Sequence, residues 1–154
     1  MAVLVSGGMG YIGSHTTVEL LNAGYDVVIA DDLSNSKEVV KDRIKEITGK
    51  DVKFYNVNLT DVNETEKVFE ENNIDSVIHF AAFKAVGESV EKPLEYYYNN
   101  LTSALVVLRA MKKYGCRNFV FSSSATVYGD AKIVPITEDS PLSTTNPYGS
   151  TKLM

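Results

Sequence analysis

The sequence predicts an α/β fold: a doubly wound parallel sheet with helices on both faces. Three observations lead there. Five short apolar runs, at residues 2–6, 27–30, 52–57, 76–80 and 118–121, have strand length. Most are continuous rather than alternating, as strands buried on both faces are. Segments with helical patterning separate the runs, and strand–helix alternation of this kind implies parallel strands joined by right-handed crossovers. A glycine-rich turn joins the first run to the first helix.

Each element has its own local reason. Residues 2–6 (AVLVS) are rich in Val and Leu. Residues 12–23 place Ile12, Val18, Leu20 and Leu21 in a helical pattern, and Gly24 stops it. Residues 27–30 (VVIA) form the second strand. Residues 36–47 carry Val39, Val40, Ile44 and Ile47 among Lys, Arg and Glu, as a surface helix does. Residues 52–57 alternate weakly. Thr60 and Asp61 are both good N-caps for a helix reaching about Glu71. Residues 76–80 (SVIHF) are the fourth strand. Pro93 opens a helix that ends near Tyr114, where Gly115 terminates it. Residues 118–121 (NFVF) are the fifth strand. Residues 125–147 are rich in Ser and Thr and contain Pro135, Pro141 and Pro147, so they read as a long loop. There is no internal repeat or low-complexity tract.

Composition narrows the function classes. Fifteen Lys and Arg stand against 20 Asp and Glu, a net charge of −5. Nucleic-acid binding draws on phosphate neutralisation, so no nucleic-acid partner is expected. No apolar run approaches the ~20 residues that span a bilayer, so no membrane partner is expected. The start, MAVLVSGG, lacks the basic region and cleavage site of a signal peptide, and Cys116 is the single cysteine. Together these point to a cytoplasmic protein with an idle thiol. At 154 residues the chain has the size of one domain, here taken as residues 1–154. The end, from Tyr148 to Met154, nevertheless looks like the opening of a helix without a stop. The domain is therefore expected to be truncated at its C-terminus.

The turn Gly8-Met9-Gly10-Tyr11-Ile12-Gly13 matches G-x-G-x-x-G, and Gly7, Gly10 and Gly13 also match G-x-x-G-x-x-G. Alone either match is weak. Between a strand and a helix it fits a dinucleotide fingerprint, in which glycines allow backbone N–H groups near a pyrophosphate. Such turns are followed about 20 residues later by an acid that holds the adenosine ribose. Asp31 and Asp32 end the second strand at that distance. Asp31 is the better placed of the two, and a carboxylate there favours NAD over NADP. Residues Leu33, Ser34, Asn35 and Ser36 follow it in the same loop.

Two further groups carry chemistry. Tyr148 and Lys152 are four apart, so a helix puts them on one face. A lysine ammonium beside a phenol favours the phenolate, which fits a tyrosine to act as a general base. Tyr128 and Lys132 share that spacing, but Gly129-Asp130 makes a turn there and not a helix. Ser122, Ser123 and Ser124 come directly after the fifth strand, at the carboxyl end where doubly wound sheets bind ligands. His15 and His79 read as structural, with no metal-ligand cluster beside them, so no metal is expected. Tyr96, Tyr97 and Tyr98 cannot share one helix face and do not read as a base-stacking platform.

These stretches, VLVSGGMGYIGSH, DDLSNS, VIHFAAFKAVGESVEKPLEYYYNN, FSSSATVYG and PYGSTKLM, resemble the extended short-chain dehydrogenase/reductase family along the whole chain. Within it they are most similar to the nucleotide-sugar C4-epimerases. The resemblance implies a Rossmann-type NAD-binding domain whose substrate domain lies outside this chain. It implies an isomerase of galactose metabolism that interconverts UDP-glucose and UDP-galactose through a 4-keto sugar. Its alternatives are a UDP-GlcNAc or UDP-glucuronate 4-epimerase, or a non-catalytic NAD-binding fragment. The 4,6-dehydratases are excluded because Ala125-Thr126 follow Ser124 where those enzymes carry Asp-Glu.

The resemblance also assigns residues. Tyr11 and Ile12 lie against the pyrophosphate, Asp31 holds the ribose, and Asn35 and Ser36 lie near it. Asn58 and Leu59 contact adenine, where the family usually has Asp. Phe80, Ala81, Ala82, Phe83 and Lys84 line the cofactor, with Asn99 and Ser122 among its contacts. Lys84, Ser124 and Tyr148 also touch the UDP-hexose substrate. Ser124, Tyr148 and Lys152 are the catalytic trio, Lys152 also binding the nicotinamide ribose. A homodimer is implied, built from helices near 60–71 and 93–114. The 154-residue chain alone is expected to turn over little or no substrate, because uridine and hexose contacts lie outside it.

Overall fold

The five strands and five of the six helices follow the predicted order in the computed structural model, which describes residues 1–154; α4 is additional. The chain divides into two units, Met1–Ala81 with Ser103–Phe121, and Ala82–Thr102 with Ser122–Met154.

The first unit holds the whole sheet. Its strands are β1 (Ala2–Ser6), β2 (Asp26–Asp31), β3 (Lys53–Asn56), β4 (Ile74–His79) and β5 (Asn118–Phe121). They are ordered β3-β2-β1-β4-β5 and every pair is parallel. Helices α1 (Tyr11–Asn22), α2 (Val39–Thr48) and α3 (Val62–Glu70) belong to this unit, with the second half of α5 (Pro93–Tyr114).

Strand side chains alternate between two cores. Val3, Val5, Val27 and Ile29 pack with Leu21 of α1 and Ile44 of α2. Leu4, Val28, Ala30 and Val77 pack with Val68 and Phe69 of α3 and with Val107, Ala110 and Met111 of α5. This explains the continuous apolar runs: both faces of each central strand are covered. Leu4 is fully buried, so Leu4→Ala is expected to cost about 2–5 kcal/mol.

Boundaries differ where long-range bonds intervene. The second helix was expected from residue 36 but starts at Val39. Residues 33–36 are held instead by the Asp31 carboxylate, which accepts from Leu33 N and Ser36 Oγ, and Leu33 adopts φ +58°. Asp61 caps α3 as expected, its Oδ1 accepting from Glu64 N at 2.9 Å. No helix is long and apolar enough to cross a membrane.

The second unit contains α4 (Val86–Glu91), the first half of α5, a 3₁₀ turn (Ala125–Tyr128) and α6 (Pro147–Leu153). Helix α4 has no signal in the sequence and forms against Tyr96. The buried Tyr96 hydroxyl accepts from Ala85 N at 3.1 Å and donates to Glu88 at 2.9 Å. The loop expected over 125–147 begins with the 3₁₀ turn, whose Val127 carbonyl accepts from Ser143 N. Helix α6 opens as predicted with Pro147, and the Asn146 side chain accepts from Gly149 N at 2.8 Å.

Candidate functional site

In the first unit the turn after β1 is packed too tightly for side chains at several positions, Gly7 and Gly13 among them. Gly7 has φ +73°, and a Cβ there would stand 2.7 Å from Ala81 N. A Cβ on Gly13 would strike the Gly7 carbonyl and come within 2.8 Å of Gly8 Cα. The first of these lets the chain turn back under the end of β4; the second lets α1 start directly on the turn. Gly10 caps α1 with no side-chain acceptor, and the first turn carries no acid. The leading N–H groups of α1 are thus left for an external anion, with the positive end of the helix dipole behind them. Tyr11 and Ile12, in that first turn, are 75% and 57% exposed.

Asp31 ends β2 and is buried. Its Oδ2 accepts from Met9 N at 3.0 Å, and its Oδ1 accepts from Leu33 N at 2.9 Å and Ser36 Oγ at 3.0 Å. One carboxylate therefore ties the glycine turn to the 33–36 loop. Asp32 is exposed and accepts from Ser34 N. A cavity of about 620 Å³ opens beside this loop, bringing together Tyr11, Asn35, Ser36, Lys37 and Arg43.

Asn58 uses its side-chain oxygen on Thr60 N and Oγ1. The Leu59 side chain is in the core. Phe80 N and Ala81 N both donate to Ser6 O, fixing the chain end after β4. His79 is fully buried, shares a 2.7 Å hydrogen bond with Ser6 and stacks on Phe121, in the structural role expected for it. His15 sits edge-on to Tyr11 at 4.9 Å. Cys116 is buried, and burial raises its thiol pKa.

In the second unit α6 carries Tyr148 and Lys152 one turn apart, as the spacing predicts. Lys152 is 7% exposed and donates from Nζ to Ser122 O at 2.9 Å. Ser123 Oγ donates to the Lys152 carbonyl. Burial lowers the ammonium to about 8, so at neutral pH Lys152 remains a cation in a poorly solvated place. Ser124, in extended backbone, accepts from Thr126 N at 3.2 Å and from Thr126 Oγ1 at 2.9 Å. Tyr128 lies in the 3₁₀ turn and Lys132 beyond it, so they share no helix face. Lys84 is exposed, while Ala82 and Phe83 are half-buried.

One residue escaped the sequence reading. Asn100 is the hub of this unit. It is buried, accepts from Phe83 N at 2.8 Å, and donates to Phe83 O at 3.0 Å and to Thr151 Oγ1 at 2.9 Å. Thr151 in turn donates to the Tyr148 carbonyl. Asn99 reaches only Asn100 Oδ1 among side chains. Asn100 stands two positions from an exposed Tyr98, and only its burial in the fold distinguishes it from Asn99.

Three comparisons bear on this arrangement. Residues 3–154 match the model of the NAD dependent epimerase/dehydratase family. The UDP-glucose 4-epimerase of Bacillus subtilis is 61% identical over 154 residues, covering all of this chain and 45% of that protein. The UDP-glucose 4-epimerase of Bifidobacterium longum, crystallised with NAD⁺ and UDP, superposes with a TM-score of 0.97 at 57% identity, over 99% of this chain and 46% of that one. The UDP-Glc/GlcNAc 4-epimerase of Campylobacter jejuni gives 0.93 at 35% identity, over 99% and 46%. The chain spans about half the length of the curated relatives it matches.

Proposed function

Because the chain belongs to the NAD dependent epimerase/dehydratase family, we propose that it forms the cofactor-binding part of an enzyme that inverts C4 of UDP-glucose and UDP-galactose. The observation that carries this is the buried Lys152 ammonium, one helical turn from Tyr148 and fastened to the carbonyl that precedes Ser123 and Ser124. NAD fits the first unit: the side-chain-free turn at Gly7 and Gly13 admits a pyrophosphate, and Asp31 receives ribose hydroxyls. Asn35, Ser36, Asn58 and the backbone at Leu59, Phe80 and Ala81 complete that reading. When bound, NAD supplies a hydride acceptor that also gives the hydride back.

The protein's own groups handle the proton. Tyr148 takes the proton of the sugar 4-hydroxyl as its C4–H bond breaks and returns it after the sugar has turned over. Lys152 stabilises the phenolate by its charge and binds the nicotinamide ribose. Ser124 donates to the sugar 4-oxygen, and Lys84 reaches substrate or ribose. The enzyme acts in the cytoplasm, in galactose metabolism, as a homodimer. Exposed Leu94, Tyr98, Leu105 and Leu108, spaced to share one face of α5, supply the apolar surface for that dimer. A second reading, UDP-GlcNAc epimerisation, draws support from the Campylobacter jejuni enzyme, whose name includes both sugars.

The test uses the full-length protein with UDP-galactose and UDP-GlcNAc, assaying the C4 epimer. Tyr148→Phe is expected to lower turnover by at least about 10²-fold while NAD is retained through purification. Unchanged turnover removes Tyr148 from the base role.

A further inference from the structure

Ser124 Oγ already accepts two hydrogen bonds, from Thr126 Oγ1 at 2.9 Å and Thr126 N at 3.2 Å. A hydroxyl has two lone pairs and one proton. With both lone pairs taken, Ser124 can only donate to whatever lies beyond it. A serine that relays a proton must accept one while giving another, and Thr126 closes that route. The same threonine also meets α6: a Cβ on Gly149 would stand 3.1 Å from Thr126 O and 3.3 Å from Thr126 Oγ1. The residue after Tyr148 is thus a glycine in close approach to Thr126.

We propose that Thr126 is a positioning residue that fixes Ser124 as a pure hydrogen-bond donor to the substrate 4-oxygen and seats the first turn of α6 beside it. The sugar 4-hydroxyl then gives its proton directly to Tyr148 and not through Ser124. This inference rests on the reading of Ser124 as a substrate-touching group. Thr126 acts through Ser124.

The experiment is a double-mutant cycle in the full-length holoenzyme. Steady-state kinetics are measured for Thr126→Val, Thr126→Ser, Ser124→Ala and Ser124→Ala/Thr126→Val, with bound NAD and melting temperature as controls. Loss of one hydrogen bond to the serine is expected to lower kcat by roughly fivefold to tenfold in Thr126→Val, with KM within about twofold. Thr126→Ser, which keeps the donor, restores kcat to within about twofold, and Thr126→Val costs less than about twofold once Ser124 is alanine. Equal losses in both backgrounds, or Thr126→Ser as impaired as Thr126→Val, overturn the proposal, because the threonine then acts through the fold. An impaired Ser124→Ala beside an unimpaired Thr126→Val overturns it alone. An unimpaired Ser124→Ala overturns the role of Ser124 and this proposal with it. If Thr126→Val fails to hold NAD, Thr126→Ala in the same two backgrounds reads the same coupling, and additive losses overturn the idea.

Discussion

Lys152 offers the sharpest energetic test, because its burial is costly in a way that depends on pH. Burial takes the ammonium from its ordinary 10.5 to about 8. At about 1.4 kcal/mol per pH unit, that drop amounts to about 3 kcal/mol. Below about 8 the side chain is charged in both the folded and the unfolded protein, and the full penalty is present. Between about 8 and 10.5 the unfolded chain holds a proton that the native state does not, so this group makes stability rise with pH. Above 10.5 both states are neutral and the penalty is gone. Lys152→Met keeps the length and apolar stem of the side chain and removes the charge. It also leaves the Ser122 carbonyl without this donor, which costs about 1–3 kcal/mol with no pH dependence. The effect of Lys152→Met on stability is therefore expected to be about 3 kcal/mol more favourable near pH 7 than near pH 10.5. Urea unfolding of both proteins across that range measures it, since titrations shared by the two cancel in the difference. A difference that stays constant with pH refutes the argument that the buried ammonium is under strain. On the proposed function, turnover of the full-length protein is expected to fall as pH rises through about 8 and Lys152 loses its charge.

Three further outcomes follow from the geometry. Gly13→Ala puts a methyl into the Gly7 carbonyl, so α1 must shift off the turn; NAD affinity is expected to fall at least about tenfold by fluorescence titration, and retained affinity would show that the close approach is dispensable. Asp31→Asn takes an acceptor from the group that holds Met9 N, Leu33 N and Ser36 Oγ, so a loss of about 1–3 kcal/mol in stability is expected, with narrowed discrimination against NADP; an unchanged NAD/NADP ratio would argue against Asp31 as the ribose acid. Asn100→Leu replaces three buried hydrogen bonds by an apolar side chain and strands the Phe83 amide and carbonyl, so a loss of about 2–5 kcal/mol is expected in thermal or urea unfolding, and a loss no larger than that of Asn99→Leu would displace Asn100 as the hub.

The sequence alone determined what neighbouring residues decide. Continuous apolar runs marked the central strands, because strands covered on both faces need apolar side chains on both, and weaker apolar runs marked β3 and β5. The glycine turn, the Asp61 cap and the Pro147 start are local devices, and each appears where it was read. Tyr148 and Lys152 could be paired from their spacing because helical geometry alone puts them on one face.

The tertiary structure decided what depends on distant partners. Asp31 was legible as the acid that ends the second strand, but its grip on Met9, 22 residues away, was not. Helix α4 owes its place to Tyr96, and the delayed start of α2 owes its place to the Asp31 carboxylate. Asn99 and Asn100 are indistinguishable by type, and only burial shows which one bonds Phe83 and, 51 residues on, Thr151. The lowered ammonium of Lys152 and the saturated lone pairs of Ser124 belong to the same class. The physical reason is common to all of them. Periodicity and caps are written in residues within a turn of each other, whereas desolvation and hydrogen-bond saturation exist only once remote segments have excluded water from the same place.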